Sequence, residues 1–190
     1  MKAITYLTEG FETVEALAVV DILRRAGVET ETVSVTGSPE VKSAQDITVT
    51  ADRVYNSLDT GAETADLLFL PGGPGSFSGL FPYERIDGLK DIFIKQHENG
   101  GVIAAICAAP SVLGKWGLLK GKNATCFPGF EKDLQGAKVQ RAPARVVTDG
   151  NVITSRGMGT AIDLGLAIVE KLLGEGKAAQ LGADIQYLDE

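Results

Sequence analysis

The chemistry this sequence can carry begins at Cys107. Just before it, Val102, Ile103, Ala104, Ala105 and Ile106 form a continuous apolar run, the pattern of a strand buried on both faces of a parallel sheet. Just after it, residues 108–113 (AAPSVL) resume at helical spacing. Pro110 is welcome in a first helical turn because its missing N–H had no partner there. The predicted strand, sharp turn and helix lift the thiol above the sheet edge, where the positive end of the helix favours a thiolate. Ala105, Ala108 and Ala109 are small enough for such an elbow. Free cysteine is also among the most buried residue types, so spacing alone leaves a plain core residue open as the alternative.

A nucleophilic thiol needs a proton acceptor or donor beside it. In open parallel sheets ligands bind beyond the carboxyl ends of the strands, and three loops are predicted to meet there, at 8–13, 71–79 and 107–110. The first brings Glu9 and Glu12, with Glu15 in the first turn of the helix that follows, and any of the three could lie near the thiol. Acids in a first helical turn also serve simply to complement the dipole. The second loop, Pro71-Gly72-Gly73-Pro74-Gly75, allows a sharp bend and close approach to a ligand. It lacks the spacing of the dinucleotide fingerprint and the Lys-Ser/Thr of a phosphate-binding loop, which argues against a nucleotide site.

His97, the single histidine, ends a predicted helix that feeds the amino end of the Cys107 strand. That places it about 15 to 20 Å from the thiol at about 3.3 Å per residue, and it reads as a surface residue. With no histidine after Cys107, a Cys-His-Asp hydrolase and a glutamine amidotransferase lack their base, and a metal site lacks ligands. A thiol, a carboxylic acid and backbone donors remain. A carboxyl group kept protonated by burial can hydrogen-bond to a thiolate, which suits either peroxide sensing or attack on a very electrophilic aldehyde.

The elements that must position these groups alternate. KAITYL (2–7) reads as a first strand, and TVEALAVVDILRRAG sets Val14, Leu17, Ala18, Asp21 and Ile22 at helical spacing, ending at Gly27. Residues 28–36 make a second strand, parallel to the first through a right-handed crossover. Residues 37–58 read as a small hairpin or edge excursion and 65–70 as another buried strand. A helix over 84–99 buries Ile86, Leu89 and Phe93. A short strand is expected at 124–127, a hairpin flanks Asp149-Gly150-Asn151, and a last substantial helix, apolar nearly all round, runs over about 160–173.

A chain of this length and 44% hydrophobic content suits one α/β domain. The formal charge of −7 without a basic cluster excludes nucleic acid and anionic membranes as expected partners. Two cysteines, Cys107 and Cys126, are too few for a disulfide framework, and the opening MKAITYLTEGFE carries neither a long apolar core nor a cleavage site. The expected compartment is a reducing cytoplasm. No apolar run reaches the roughly 18 residues of a membrane span.

TVEALAVVDILRRAG, FLPGGPG, AAICAAPSVL and TSRGMGTAIDLGLAIVE together resemble, in order and spacing, the DJ-one/ThiJ branch of the ThiJ/PfpI superfamily. The resemblance runs nearly end to end. It implies an α/β fold, a flavodoxin-like three-layer α/β/α sandwich with a mostly parallel sheet, as a single ThiJ/PfpI-type (class I glutamine amidotransferase-like) domain over residues 1–190. It also implies a homodimer without a cofactor or metal, and an elbow Cys107 paired with a protonated Glu15. The backbone N–H groups of Gly73 and Ala108 would be oxyanion donors.

The implied activity is that of a cofactor-independent glyoxalase III or deglycase acting on small reactive dicarbonyls, methylglyoxal to lactate. The alternatives are a redox-sensing stress-response protein whose Cys107 becomes a sulfinate, and a non-catalytic chaperone-like module. Several residues depart from the family pattern. Ala108 stands where the protease-like PfpI branch has a histidine, so a peptidase loses its base. Phe127 stands where a human member has a histidine, Met158 replaces a common proline, and Gln45 stands where some relatives have an arginine. Cys126 reads as a packed or edge cysteine rather than a second redox thiol.

Overall fold

The computed structural model describes residues 1–56, 65–73, 82–142 and 144–187. Pro74, Gly75 and the rest of the expected loop as far as residue 79 lie outside the described residues. Apolar runs become strands and 3.6-periodic segments become helices. The chain forms β1 (Lys2–Leu7), α1 (Thr13–Arg25), β2 (Glu29–Ser34), β3 (Glu40–Lys42), β4 (Thr48–Thr50), β5 (Arg53–Val54) and β6 (Leu67–Leu70). It continues as α2 (Leu89–Glu98), β7 (Val102–Ile106), α3 (Pro110–Lys115), β8 (Asn123–Ala124), β9 (Lys138–Val139), β10 (Val146–Asp149), β11 (Val152–Ser155), α4 (Ala161–Leu173) and α5 (Glu175–Asp184).

Seven strands make one sheet in the order β10-β11-β7-β6-β1-β2-β5. All neighbours are parallel except the β10–β11 hairpin at one edge. Strand alternation sends Leu68 and Leu70 toward Phe93 of α2 and Val112 of α3, while Leu67 and Phe69 pack with Val19 of α1 and Leu164 of α4. The result is the flavodoxin-like three-layer sandwich. β6 and β7 are buried along their whole length, with β6 the middle strand of the seven. Each fully buried Leu or Phe there contributes about 1.5–3 kcal/mol, so the core is anchored under the ends of these two strands. Among the described residues no helix is long and apolar enough to cross a membrane.

Four elements differ from expectation. The buried face of α1 is Glu15, Ala16, Val19, Val20, Ile22 and Leu23, while Val14 and Asp21 are exposed. An acid sits in the buried stripe, and a hydrophobic count steers away from it. The helix expected over 84–99 begins at Leu89, because the chain makes a 3-10 turn over Pro82–Arg85 and then takes a left-handed conformation at Gly88. The strand expected at 124–127 shrinks to Asn123–Ala124, since the following residues bend toward Cys107 instead of extending a sheet. The helix α5 was not expected. Two glycines (176 and 182) dilute its sequence, and its inward residues Ala178 and Leu181 give only a faint period. Together α1 and α5 cover the flanks of α4, which explains why α4 is apolar nearly all round.

Candidate active site

β1 and β6 are neighbours in the sheet, yet the chain leaves them in opposite directions. β1 leads through α1 on one face to β2, and β6 leads through α2 on the other face to β7. A crevice opens beyond the carboxyl ends of such a pair. Three segments close on it: the start of α1, residues 71–73 after β6, and the turn after β7.

Cys107 occupies that last turn with φ 65, a left-handed conformation that costs an L-residue about 1–2 kcal/mol. The surroundings hold it there. Its N–H donates to the Ser155 carbonyl at 3.0 Å, and its carbonyl accepts from the Phe127 N–H at 2.7 Å. β11 and the bend after β8 therefore grip the elbow from both sides. Pro110 opens α3 immediately beyond, as the sequence predicts.

Of the three candidate acids, only Glu15 reaches the thiol. Glu9 is exposed and its carboxylate accepts a 3.4 Å bond from the Lys42 N–H. Glu12 caps α1, its Oε2 accepting from the Glu15 N–H at 2.7 Å, which is the dipole-complementing role of a first-turn acid. Glu15 turns inward instead. It is 1% exposed and is hydrogen-bonded to the Cys107 side chain, and its Oε2 accepts from the Gly72 N–H at 3.0 Å. The Met158 amide approaches the same carboxyl group.

Burial raises the Glu15 pKa to about 7, against the pull of its hydrogen bonds to Cys107 and Gly72, and the nearby Glu12 raises it further. Burial also pushes the Cys107 thiol up, and the Glu15 carboxylate adds to that. The Ala108 N–H, in contact with the sulfur, pulls the other way. This revises the expectation of a thiol acidified by a helix end. α3 is only six residues long, and the dominant neighbour is an acid. The pair is best described as two buried acids sharing one negative charge above about pH 7.

The sequence leaves Gly72 unmarked, and the family resemblance assigns an amide role to Gly73 instead. The position of Gly72 in a Gly-Gly pair directly after a buried strand was the available signal. A Cβ on Gly72 would stand 2.5 Å from Glu15 Oε2 and 2.6 Å from the Cys107 Cβ. Gly73, at φ 152, backs onto Gly10, where a Cβ would collide with the Gly10 carbonyl oxygen. Gly72→Ala is accordingly expected to slow Cys107 alkylation by iodoacetamide by about 10²-fold through misplacement of the pair, with the far-UV circular dichroism unchanged. A normal alkylation rate would mean that the pair does not depend on this contact.

The remaining predicted residues fall elsewhere. His97 lies half-buried in the last turn of α2, at the opposite end of β7 from Cys107. Cys126 is buried in the core with Val112 and Leu134, and burial pushes its thiol up to about 12. Gln45 accepts from the Thr13 hydroxyl at 2.6 Å and helps to close the start of α1. Phe127 is 39% exposed, and its ring lies against Gly157. Among the described residues no group of three or more His, Cys, Asp or Glu is arranged to hold a metal ion.

A doubly wound α/β sandwich with a cysteine on a strained strand-to-helix elbow, hydrogen-bonded to a buried carboxylic acid, defines a class of thiol-centred proteins. The chain belongs to one family within it, the DJ-1/PfpI family, whose pattern matches residues 1–171. It is 35% identical to protein dj-1beta of Drosophila melanogaster, over 95% of this chain and 94% of the relative. It is 30% identical to the glutathione-independent glyoxalase DJR-1.2 of Caenorhabditis elegans, over 91% of this chain and 89% of the relative. Among solved structures, oxidized Toxoplasma gondii DJ-1 superposes with a TM-score of 0.89 at 29% identity, covering 99% of both chains.

Proposed function

We propose that the protein is a cofactor-independent glyoxalase that converts methylglyoxal, or a similar small dicarbonyl, to a hydroxy acid. The observation that carries this reading is the buried hydrogen bond between Glu15 and Cys107. A thiol that is a poor acid by itself becomes a nucleophile if its proton passes to a carboxylate as the bond to carbon forms.

In this mechanism the Cys107 sulfur adds to the aldehyde carbon while the thiol proton passes to Glu15 and on to the new oxyanion, giving a hemithioacetal. The amides of Ala108 and Gly73 hold the oxygen as its charge develops. The Glu15 carboxylate then removes the hydrogen of the former aldehyde carbon as a proton, leaving an enediolate, and returns that proton to the neighbouring carbon. As the hydroxyl proton on the first carbon moves to the second oxygen, a lactoyl thioester results. Water cleaves the thioester, and lactate and the free thiol leave. Atoms balance as methylglyoxal plus water giving lactic acid, with no external electron carrier.

Purified protein should form lactate from methylglyoxal with no glutathione present. No lactate above the buffer rate would remove this function. The glyoxalase named among the relatives supports this reading, and an oxidized relative supports a second one, in which Cys107 takes up two oxygens as a sulfinate held by Glu15 and nearby amides. A gain of two oxygens confined to Cys107 under limiting peroxide, measured by mass, would favour that sensor role. A homodimer in the reducing cytoplasm belongs to the same proposal. Val14 (43% exposed), Phe127 and Met158 (55%) surround the site as apolar groups that a second copy could cover, and light scattering would report a monomer if it does not.

A further inference from the structure

We propose that Tyr83 is a positioning residue for Glu15, acting through the peptide unit between Pro71 and Gly72. Tyr83 is 2% exposed, and its hydroxyl lies 3.0 Å from the Tyr6 carbonyl oxygen on β1 and 3.2 Å from the Pro71 carbonyl oxygen after β6. One phenolic proton thus spans the two strands that part at the crevice. The Pro71 carbonyl and the Gly72 N–H are opposite ends of one planar amide, and that N–H donates to Glu15 Oε2 at 3.0 Å. Fixing the carbonyl fixes the direction of the N–H, and a hydrogen bond accepted at the oxygen strengthens donation at the nitrogen.

The consequence is electrostatic. Donation to the ionised carboxylate favours that form, so the Tyr83 hydroxyl opposes the burial that raises Glu15. The phenol stays protonated, because burial and the adjacent Glu15 charge push its own ionisation far above the ordinary tyrosine value. Among the described residues, the groups that face Glu15 are Cys107, Glu12 and Tyr83, together with the backbone amides of Gly72 and Met158. None of these is a cation. The negative charge that appears on the pair is therefore held by amide donors, and Tyr83 orients one of them.

This inference rests on Glu15 and Cys107 acting as a pair and is independent of their substrate. The test is the pH dependence of Cys107 alkylation by iodoacetamide, followed by mass on the Cys107 peptide, with lactate formation assayed in parallel. In the wild type the rate is expected to rise through about pH 7. Tyr83→Phe keeps the ring and removes the hydroxyl. The rising limb should then move up by about 0.5 to 1 pH unit, while in the Glu15→Gln background the same change should leave the profile in place.

A limb that does not move, or one that moves equally in both backgrounds, overturns the proposal, since a merely structural tyrosine would act without regard to Glu15. 3-Fluorotyrosine at position 83 is a stronger donor of nearly the same shape. It should move the limb down, and an upward or absent shift would likewise refute the role. If the limb behaves as expected but no lactate forms, the glyoxalase reading fails and the positioning role stands.

Discussion

Glu15→Gln is expected to be the more stable protein at neutral to alkaline pH and a far poorer catalyst. The carboxyl group has a folded-state pKa of about 7 against an ordinary value of 4.5. Between those values the native state binds more protons than the unfolded state, so the contribution to stability is full below pH 4.5 and is lost as pH rises through about 7. At about 1.4 kcal/mol per unit, the interval from 4.5 to about 7 corresponds to about 3 kcal/mol of stability lost by pH 8. Gln carries no such charge and retains an oxygen for the Gly72 N–H. Denaturant titrations should therefore place Glu15→Gln above the wild type at pH 8, with the gap closing near pH 4.5. An equal gap at both pH values would show that packing, rather than ionisation, sets the difference. The same substitution removes the group that carries protons in the proposed mechanism, and kcat/KM for methylglyoxal should fall by about 10²- to 10⁴-fold. Wild-type kcat/KM should rise with pH through about 7, because the pair must hold one negative charge before sulfur can attack.

Cys107→Ala should abolish turnover. Without sulfur there is no hemithioacetal, and the covalent route collapses to the uncatalysed rate, a loss of at least about 10⁴-fold. The thermal midpoint should change little, because the left-handed backbone and its bonds to Ser155 and Phe127 do not involve the side chain. Removing the sulfur also relieves Glu15 of a partner, so the two substitutions should be strongly non-additive in activity. Residual lactate formation by Cys107→Ala would place the nucleophile elsewhere. Cys126, buried and less acidic than an ordinary thiol, would be a poor substitute.

The elbow was legible because it is local: an apolar pentapeptide, a cysteine, and a proline placed where a helix tolerates one leave few other conformations. The order of strands and helices was legible for the same reason, through period and punctuation. Glu15 was not singled out by residue type, since three acids crowd the first loop and helix turn, and only the family resemblance chose among them. What separates Glu15 from Glu12 is the rotation of α1, and that rotation depends on long-range packing against α4. Gly72 and Tyr83 escaped for a related reason. Their contributions are a backbone N–H and a hydroxyl aimed at backbone carbonyls, and neither leaves a sequence signature until the strand ends are brought together. The direction of the Cys107 shift differs from expectation because the sequence reading takes the neighbouring acid as a protonated donor to a thiolate, whereas burial of the thiol, followed by the Glu15 charge, pushes the thiol up.

The two margins of the main sheet bear on how copies of the chain meet. On one side the sheet stops at β5, which offers only two residues of ladder. On the other it stops at β10, braced by Asn123, whose backbone and side-chain N–H groups both bond the Asp149 carboxylate at 2.8 and 2.9 Å. An incoming strand needs a long run of unpaired backbone groups to dock, and among the described residues β5 and β10 offer runs of only two and four residues. Among the described residues, open-ended strand addition at these two margins therefore has little ladder to build on, which disfavours fibre formation by that route.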